Sequence, residues 1–210
     1  MQKKLISAVQ NKNVRIVKEL LAQKCNPDGF VNPKRMTPLM YSACHADSAC
    51  LSILIDFKAN VNQQNRNGKT ALMIACLNKR KPNICTLLSA KADPNLKCFQ
   101  HGRNALMFAM RNNKMMDILT LLIQSGAKVN QVDHYGKTAL DVFLDTHRVL
   151  YGSHRYLDIL IEKNGHINRD SCWRYYGFYA KQKILQRKLD ILGSSKVNTD
   201  IIFYIKTFIK

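Results

Sequence analysis

The sequence predicts an all-α solenoid of stacked helix–turn–helix units. The main evidence for this architecture is a leucine that recurs at intervals of 34, 33, 34 and 34 residues, at Leu5, Leu39, Leu72, Leu106 and Leu140. A second sign keeps the same register, since apolar pairs follow the first four leucines by 15 and 16 positions. These pairs are Leu20-Leu21, Leu54-Ile55, Leu87-Leu88 and Leu121-Leu122. A period in the low thirties with two helical segments per unit is typical of stacked helical pairs.

The third unit illustrates why each element is expected. Thr70 precedes the apolar run 71–76 and can accept a backbone N–H at the start of a short helix. Pro82 ends that run and is tolerated in the first turn of a second helix. Three apolar residues share one face of that helix: Ile84, Leu87 and Leu88. Helices this short are marginal alone, so the units must stack to be stable.

These sequence motifs resemble those of the ankyrin repeat family. The family's Thr-Pro-Leu occurs at residues 37–39, and Gly126-Ala127-Lys128-Val129-Asn130 is similar to its Gly-Ala-Asp-Val-Asn. The resemblance covers residues 3–168 and implies an ankyrin-repeat solenoid with β-hairpin fingers. It divides the domain 1–168 into five units, approximately 3–30, 34–64, 68–97, 102–132 and 136–168.

Three departures from the family pattern lead to further predictions. The histidine that usually follows Thr-Pro-Leu is replaced in four units, so its local hydrogen bonds should be absent there. The replacements are Met40, Met73, Met107 and Asp141. The finger that contains Phe99, Gln100 and His101 has one residue more than its neighbours. The fifth unit has five extra residues within 145–154, which predicts a protruding loop, either a partner contact or a tolerated insertion.

The resemblance also implies where a partner would bind. Ankyrin proteins bind along the concave face formed by finger tips and first helices. Transferred position by position, this face comprises Lys34, Met36, His45, Arg66, Asn67, Lys69, Asn78, Gln100, His101, Arg103, Arg111, Asn112, His134, Tyr135 and Lys137. Cations dominate this set and it contains no carboxylate.

Charge indicates the kind of partner. The 210 residues include 33 Lys and Arg against 14 Asp and Glu, a formal net charge of +19. Such a charge favours acidic partners, although lysines that merely solvate the surface would give the same total. Nucleic acid is less favoured than an acidic protein, because Tyr135 is the single aromatic residue in the predicted face.

The segment 169–210 departs from the repeat and allows two interpretations. It begins with an aromatic stretch that includes Trp173, and the apolar residues after it have helical spacing. It is either a helical cap for the exposed end of the stack or a docking segment, with peripheral membrane contact through 181–210. No stretch approaches the roughly 20 apolar residues of a transmembrane helix.

The sequence contains no signal for catalysis or for a cofactor. There is no phosphate-binding glycine loop, and Cys98 with His101 falls short of a zinc ligand set. Cys44 and His45 are adjacent, which on a helix points their side chains apart. We therefore expect a non-enzyme without cofactor or metal. The seven cysteines lack short paired spacings and are interpreted as reduced thiols.

Three functional hypotheses follow. The first is a monomeric, non-catalytic scaffold that binds an acidic protein surface or peptide through a basic concave groove. The second is an adaptor or secreted effector whose C-terminal segment recruits a second factor, such as ubiquitination machinery. The third is an inhibitor that occludes an acidic active site. The expected location is the cytoplasm or nucleus, with export into a host cell without a cleaved signal as the alternative.

Overall fold

The computed structural model describes residues 1–45, 48–111 and 116–146, and helices dominate these residues. In chain order the helices are α1 (Gln2–Gln10), α2 (Val14–Ala22), α3 (Pro38–Cys44), α4 (Ala49–Asp56), α5 (Ala71–Leu77), α6 (Lys81–Ser89), α7 (Ala105–Met110), α8 (Met116–Gln124) and α9 (Ala139–Thr146). Four helix pairs, α1/α2 to α7/α8, precede α9. The predicted all-α class is confirmed.

The helices form two layers. The first helices of successive units pack on one another in the order α1, α3, α5, α7, α9, and the second helices do the same in the order α2, α4, α6, α8. The five recurring leucines lie in the first layer, and each is at most 1% exposed. The period detected in the sequence is therefore the period of a continuous core, in which each unit buries its apolar face on the next.

Buried polar caps start the first helices from the second unit onward. The Thr70 hydroxyl accepts from the amide N–H of Met73 at 3.3 Å, as the sequence predicted. Thr37 and Asn104 cap α3 and α7 in the same way. Caps of this kind stabilise a helix by about 1 kcal/mol each. Because all three residues are at most 1% exposed, the caps also satisfy donors that would otherwise be buried unpaired.

The expectation of a lost hydrogen-bond network is wrong in the fifth unit. The Asp141 carboxylate accepts from the Thr138 amide N–H at 2.8 Å and from the Thr138 hydroxyl at 2.7 Å. The Asp141 amide N–H donates in turn to the Thr138 hydroxyl oxygen at 3.3 Å. An acid three residues after a hydroxyl cap thus forms a reciprocal capping box. The methionines at the equivalent positions are buried and pack in the core.

The fingers are hydrogen-bonded turns, which corrects the expectation of β-hairpins: no strand occurs in the part of the chain that the structure describes. In the finger of the third unit, the amide of Gly68 donates to the carbonyl of Asn65 and the amide of Asn65 to the carbonyl of Lys69. These two bonds close the turn but do not continue into a ladder. The extra residue in the next finger is confirmed, because Gly102 there donates four residues back, to Cys98.

Lysine occupies helix ends that usually carry glycine. Lys24, Lys58 and Lys91 follow the second helices of the first three units with φ of 61°, 64° and 63°. Each sits in a left-handed turn that ends the helix, and the equivalent residue in the fourth unit is Gly126, with φ of 88°. A left-handed conformation costs a non-glycine residue about 1–2 kcal/mol. A cation at a helix C-terminus offsets part of that cost.

Several predictions fall on residues outside the described ranges. They are the last part of the 145–154 insertion, the boundary at 168/169 and the cap or docking role of 169–210. Within the described ranges, six cysteines are free thiols, in line with the reduced state expected from sequence: Cys25, Cys44, Cys50, Cys76, Cys85 and Cys98. Helices there are also too short and insufficiently apolar to cross a membrane.

Candidate functional site

The finger turns and the first helices border one face of the stack, which we call the trough. Among the predicted contact residues, eight are exposed: Lys34, Arg66, Asn67, Asn78, Gln100, Arg111, His134 and Tyr135. Six are half-buried: Met36, His45, Lys69, His101, Arg103 and Lys137. Asn112 lies outside the described residues. Fourteen predicted residues thus keep surface that a partner can reach.

Backbone hydrogen bonds join each finger to the next. The amide of Arg66 donates to the carbonyl of Lys34 at 3.1 Å, and the amide of Phe99 to that of Asn67 at 2.9 Å. The amide of His134 donates to the carbonyl of His101, also at 2.9 Å. The rim of the trough is therefore continuous across four units. Its side chains are held at fixed spacing before any partner arrives, which lowers the entropy cost of binding.

The fingers of the third and fifth units are shaped by side chains that the sequence reasoning did not single out. The Asn65 side-chain oxygen accepts from the amides of Asn67 and Lys69, both at 2.9 Å. The Asp133 carboxylate does the same for Tyr135 and Lys137, at 2.9 and 3.0 Å. Asn and Asp favour such turns, because the side chain bonds to backbone two residues ahead. The recurrence of Asn or Asp three residues before the finger glycine was the signal that could have revealed them.

Two of the predicted cations are paired with carboxylates, which corrects the view of the face as purely cationic. The Arg103 Nε lies 3.3 Å from a carboxylate oxygen of Asp133, whose side chain is fully buried. Lys137 forms an ion pair with Asp145 at the end of α9. The predicted set omitted both acids, because it was drawn from positions in the repeat rather than from spatial neighbours. The charge of the trough near the fifth unit is partly compensated.

The cations near the second and third units are uncompensated. Lys34 and Arg66 are exposed and make no ion pair with any described residue. The Lys69 ammonium lies 5.4 Å from the centre of the Phe108 ring, a distance at which the ring's negative face attracts it. Arg111, at the end of α7, is also exposed. Among the predicted contact residues of the fingers, the cations without an ion pair to a described residue therefore lie in the second and third units, and Arg111 adds a further exposed cation at the end of α7.

The Cys44–His45 corner contributes neither charge nor a nucleophile. Burial lowers the pKa of His45, and the nearby Lys12 and Arg80 cations lower it further, so the imidazole is neutral at neutral pH. Burial raises the pKa of the Cys44 thiol, although Arg80 opposes this. A thiol of raised pKa is a poor nucleophile.

A buried asparagine joins the second and third units behind this corner. The Asn83 amide group, fully buried in α6, donates to the carbonyl oxygens of Ser42 at 3.1 Å and His45 at 2.7 Å. Both carbonyls lie at the C-terminal end of α3, where no further helical turn supplies donors, although the Ser42 carbonyl also accepts from the His45 amide N–H. The sequence reasoning missed Asn83, since an asparagine at a helix start is unremarkable in sequence. Its bonds fix the second unit against the third.

Comparison with protein families identifies the repeats. A family model of ankyrin repeats in three copies matches residues 5–98, and a single ankyrin repeat model matches residues 101–134. Together they cover more than half of the chain, so this protein belongs to the ankyrin repeat family. Ankyrin repeats act as protein–protein interaction scaffolds, bind protein partners and are in general non-catalytic.

Two curated relatives share parts of this repeat array. The chain is 30% identical over 140 residues to the potassium channel AKT2/3 of Arabidopsis thaliana, a match that covers 66% of this chain and 17% of the channel. It is 47% identical over 55 residues to the human fibronectin type 3 and ankyrin repeat domains protein 1, covering 26% of this chain and 16% of that protein. The matched regions thus amount to about a sixth of each relative's length.

Proposed function

We propose that this protein is a monomeric, non-catalytic scaffold that binds an acidic protein surface or peptide through the trough. The observation that carries the proposal is the uncompensated cluster of Lys34, Arg66 and Lys69 on a rim whose geometry is fixed by backbone hydrogen bonds. Oriented cations of this kind accelerate encounter with an acidic partner and set its register. The net charge of +19 acts in the same direction at longer range.

The chemistry of the described residues fits a binding role better than a catalytic one. No group of three or more His, Cys, Asp or Glu side chains among residues 1–45, 48–111 and 116–146 is arranged to hold a metal ion. The single adjacent Cys–His pair has a thiol of raised pKa and an imidazole of lowered pKa. An acidic peptide is favoured over nucleic acid, because the exposed aromatic residues Phe30, Phe99 and Tyr135 each belong to a different connection between units, whereas single-stranded nucleic acid is usually bound on successive aromatic stacking platforms.

The proposal is tested with a defined probe, the alanine peptide: a fluorescein-labelled nonapeptide with four glutamates on each side of a central alanine. Binding to the full chain is measured by fluorescence anisotropy at low and physiological salt. We expect the double variant Lys34→Glu/Arg66→Glu to bind at least ~10-fold more weakly than the wild type, the equivalent of about 1.4 kcal/mol.

A matched control separates location from net charge. Lys18 in α2 and Lys91 after α6 are exposed and lie on the layer of second helices. Reversing both to glutamate changes the net charge by the same amount and should weaken binding less than about 2-fold at physiological salt, where the screening length is about 8 Å. Equal losses in the two double variants, or no binding by the wild type, would overturn the proposal.

A further inference from the structure

An open pocket lies in the trough between the second and third units. Its volume is about 570 Å³, within the range of pockets that enclose ligands. We call it the Tyr41 pocket. Ten residues of the second and third units line it, among them Lys34, Met36, Tyr41, Lys69, Ile74 and Leu77.

The lining combines an apolar floor with a cationic edge. Met36, Tyr41, Ile74 and Leu77 supply carbon and sulfur surface, and two cations, Lys34 and Lys69, stand among the lining residues. None of the ten lining residues carries a carboxylate. A cavity with these properties suits an apolar group that has negative charge next to it.

The walls of the pocket are held in place by the chain itself. The Asn65 side-chain N–H lies 3.3 Å from the Met36 sulfur, and the Asn32 side-chain N–H donates to the Tyr41 hydroxyl oxygen. The Asn32 side-chain oxygen also accepts from the Met36 amide at 3.2 Å. Methionine and tyrosine side chains would otherwise be mobile at a surface. Because they are fixed beforehand, a ligand group that enters does not have to order them.

The equivalent place one unit further along is built differently. Phe108 stands there where the pocket has Ile74, and Arg111 where it has Leu77. The Lys69 ammonium lies over the Phe108 ring, 5.4 Å from its centre. A charged group thus covers the aromatic surface, and a guanidinium replaces an aliphatic side chain. The apolar floor belongs to the second and third units and is not a general property of the repeat.

We infer that the Tyr41 pocket receives one large apolar side chain, such as Phe or Leu, from an acidic segment of the partner. Carboxylates that flank this anchor would lie against Lys34 and Lys69. The inference rests on the proposed function and adds to it a specificity element, since a segment of charge alone would leave the pocket empty. Anchors of this kind supply most of the affinity in many interfaces, while the surrounding charges set orientation.

The test compares the alanine peptide with a phenylalanine peptide that differs only at the central residue. We expect the wild-type chain to bind the phenylalanine peptide at least ~10-fold more tightly, since the aromatic side chain removes apolar surface from water when it enters the pocket. In Leu77→Gln, which makes the floor polar with little change of size, the preference for the phenylalanine peptide over the alanine peptide should fall below about 3-fold.

The control variant is Leu88→Gln. Leu88 is half-buried like Leu77, but it lies on α6 and does not line the pocket. This variant should keep the full preference for phenylalanine, and circular dichroism melts of both variants report any loss of folding. Equal affinity of the wild type for the two peptides would overturn the inference and leave the proposed function standing. Failure of both peptides to bind would overturn the two together.

Discussion

The two ends of the trough differ in what their cations do. Near the second and third units, Lys34 and Arg66 make no ion pair among the described residues and border an apolar pocket. Near the fifth unit, Arg103 is held by buried Asp133, and Lys137 by Asp145. The repeat places cations at both ends, but neighbours outside the recurring positions decide whether the charge is presented to a partner or used within the fold.

The largest effect on stability should come from loss of the Asn83 side chain, which joins the second and third units. Asn83→Ala removes the side-chain donor to the carbonyls of Ser42 and His45; the Ser42 carbonyl keeps its bond from the His45 amide N–H, but the His45 carbonyl loses the bond from Asn83. We expect the free energy of unfolding in urea to fall by about 2–3 kcal/mol. The control is Asn78→Ala, because the Asn78 side chain bonds only to its own helix at an exposed site and should contribute below about 0.5 kcal/mol. Similar values for the two variants would show that Asn83 does not join the units.

The next variant tests whether the ion pair between Arg103 and Asp133 prevents this cation near the fifth unit from attracting an acidic partner. Asp133→Asn keeps the oxygen that holds the finger turn, as Asn65 does one finger earlier, but removes the negative charge beside Arg103. Stability should fall by about 1–2 kcal/mol, because a mostly buried guanidinium loses its partner. Affinity for the alanine peptide should rise about 2- to 3-fold. An unchanged or lower affinity in a folded Asp133→Asn protein would refute this account of the difference.

Replacing one cation at a time by a neutral residue compares the two ends of the trough directly. Lys34→Gln and Arg66→Gln should each weaken binding of the alanine peptide about 2- to 5-fold, a typical range for one exposed charge. Lys137→Gln should change it less than about 2-fold, since Asp145 already compensates that cation. Anisotropy titrations at one salt concentration are sufficient. A larger loss for Lys137→Gln than for Lys34→Gln would reverse the proposed ranking.

The smallest effect concerns the residues that end the second helices. Lys91→Gly should raise the free energy of unfolding by about 0.5 kcal/mol, because relief of the left-handed strain exceeds the extra entropy of glycine in the unfolded chain. The reverse change, Gly126→Lys, should lower it by a similar amount. Nothing lies within 4 Å of a Cβ added at Gly126, so backbone conformation alone is tested there. Thermal or urea unfolding in which Lys91→Gly is destabilised would contradict this.

The sequence revealed the fold because the fold is periodic. Leucines that recur every 33 or 34 residues report directly on a core built from identical contacts, and the cap at Thr70 follows from local chemistry. The turn-like fingers were misjudged as β-hairpins, since the two backbone bonds that close the turn of 65–69 leave no sequence signature distinct from a short hairpin. The capping box of Thr138 and Asp141 was not predicted, because the expectation for position 141 concerned only the loss of the usual histidine.

The site was less predictable than the fold. The resemblance transferred positions well enough that fourteen of the proposed contact residues keep exposed surface. It could not reveal that Arg103 meets Asp133, which is 30 residues away, or that Asn83 reaches the end of α3, 38 residues back at His45. Contacts between units depend on side-chain geometry in three dimensions. The Tyr41 pocket likewise exists because two adjacent units differ from the pair that follows.

The most direct test of a binding trough centred on the second and third units is an NMR titration of the uniformly ¹⁵N-labelled chain with the phenylalanine peptide. The account predicts that amide signals of residues 32–36, 65–69 and 74–78 shift most, while those of α2, α4 and α6 stay in place. Shifts spread evenly over the basic surface, or largest in the layer of second helices, would contradict it.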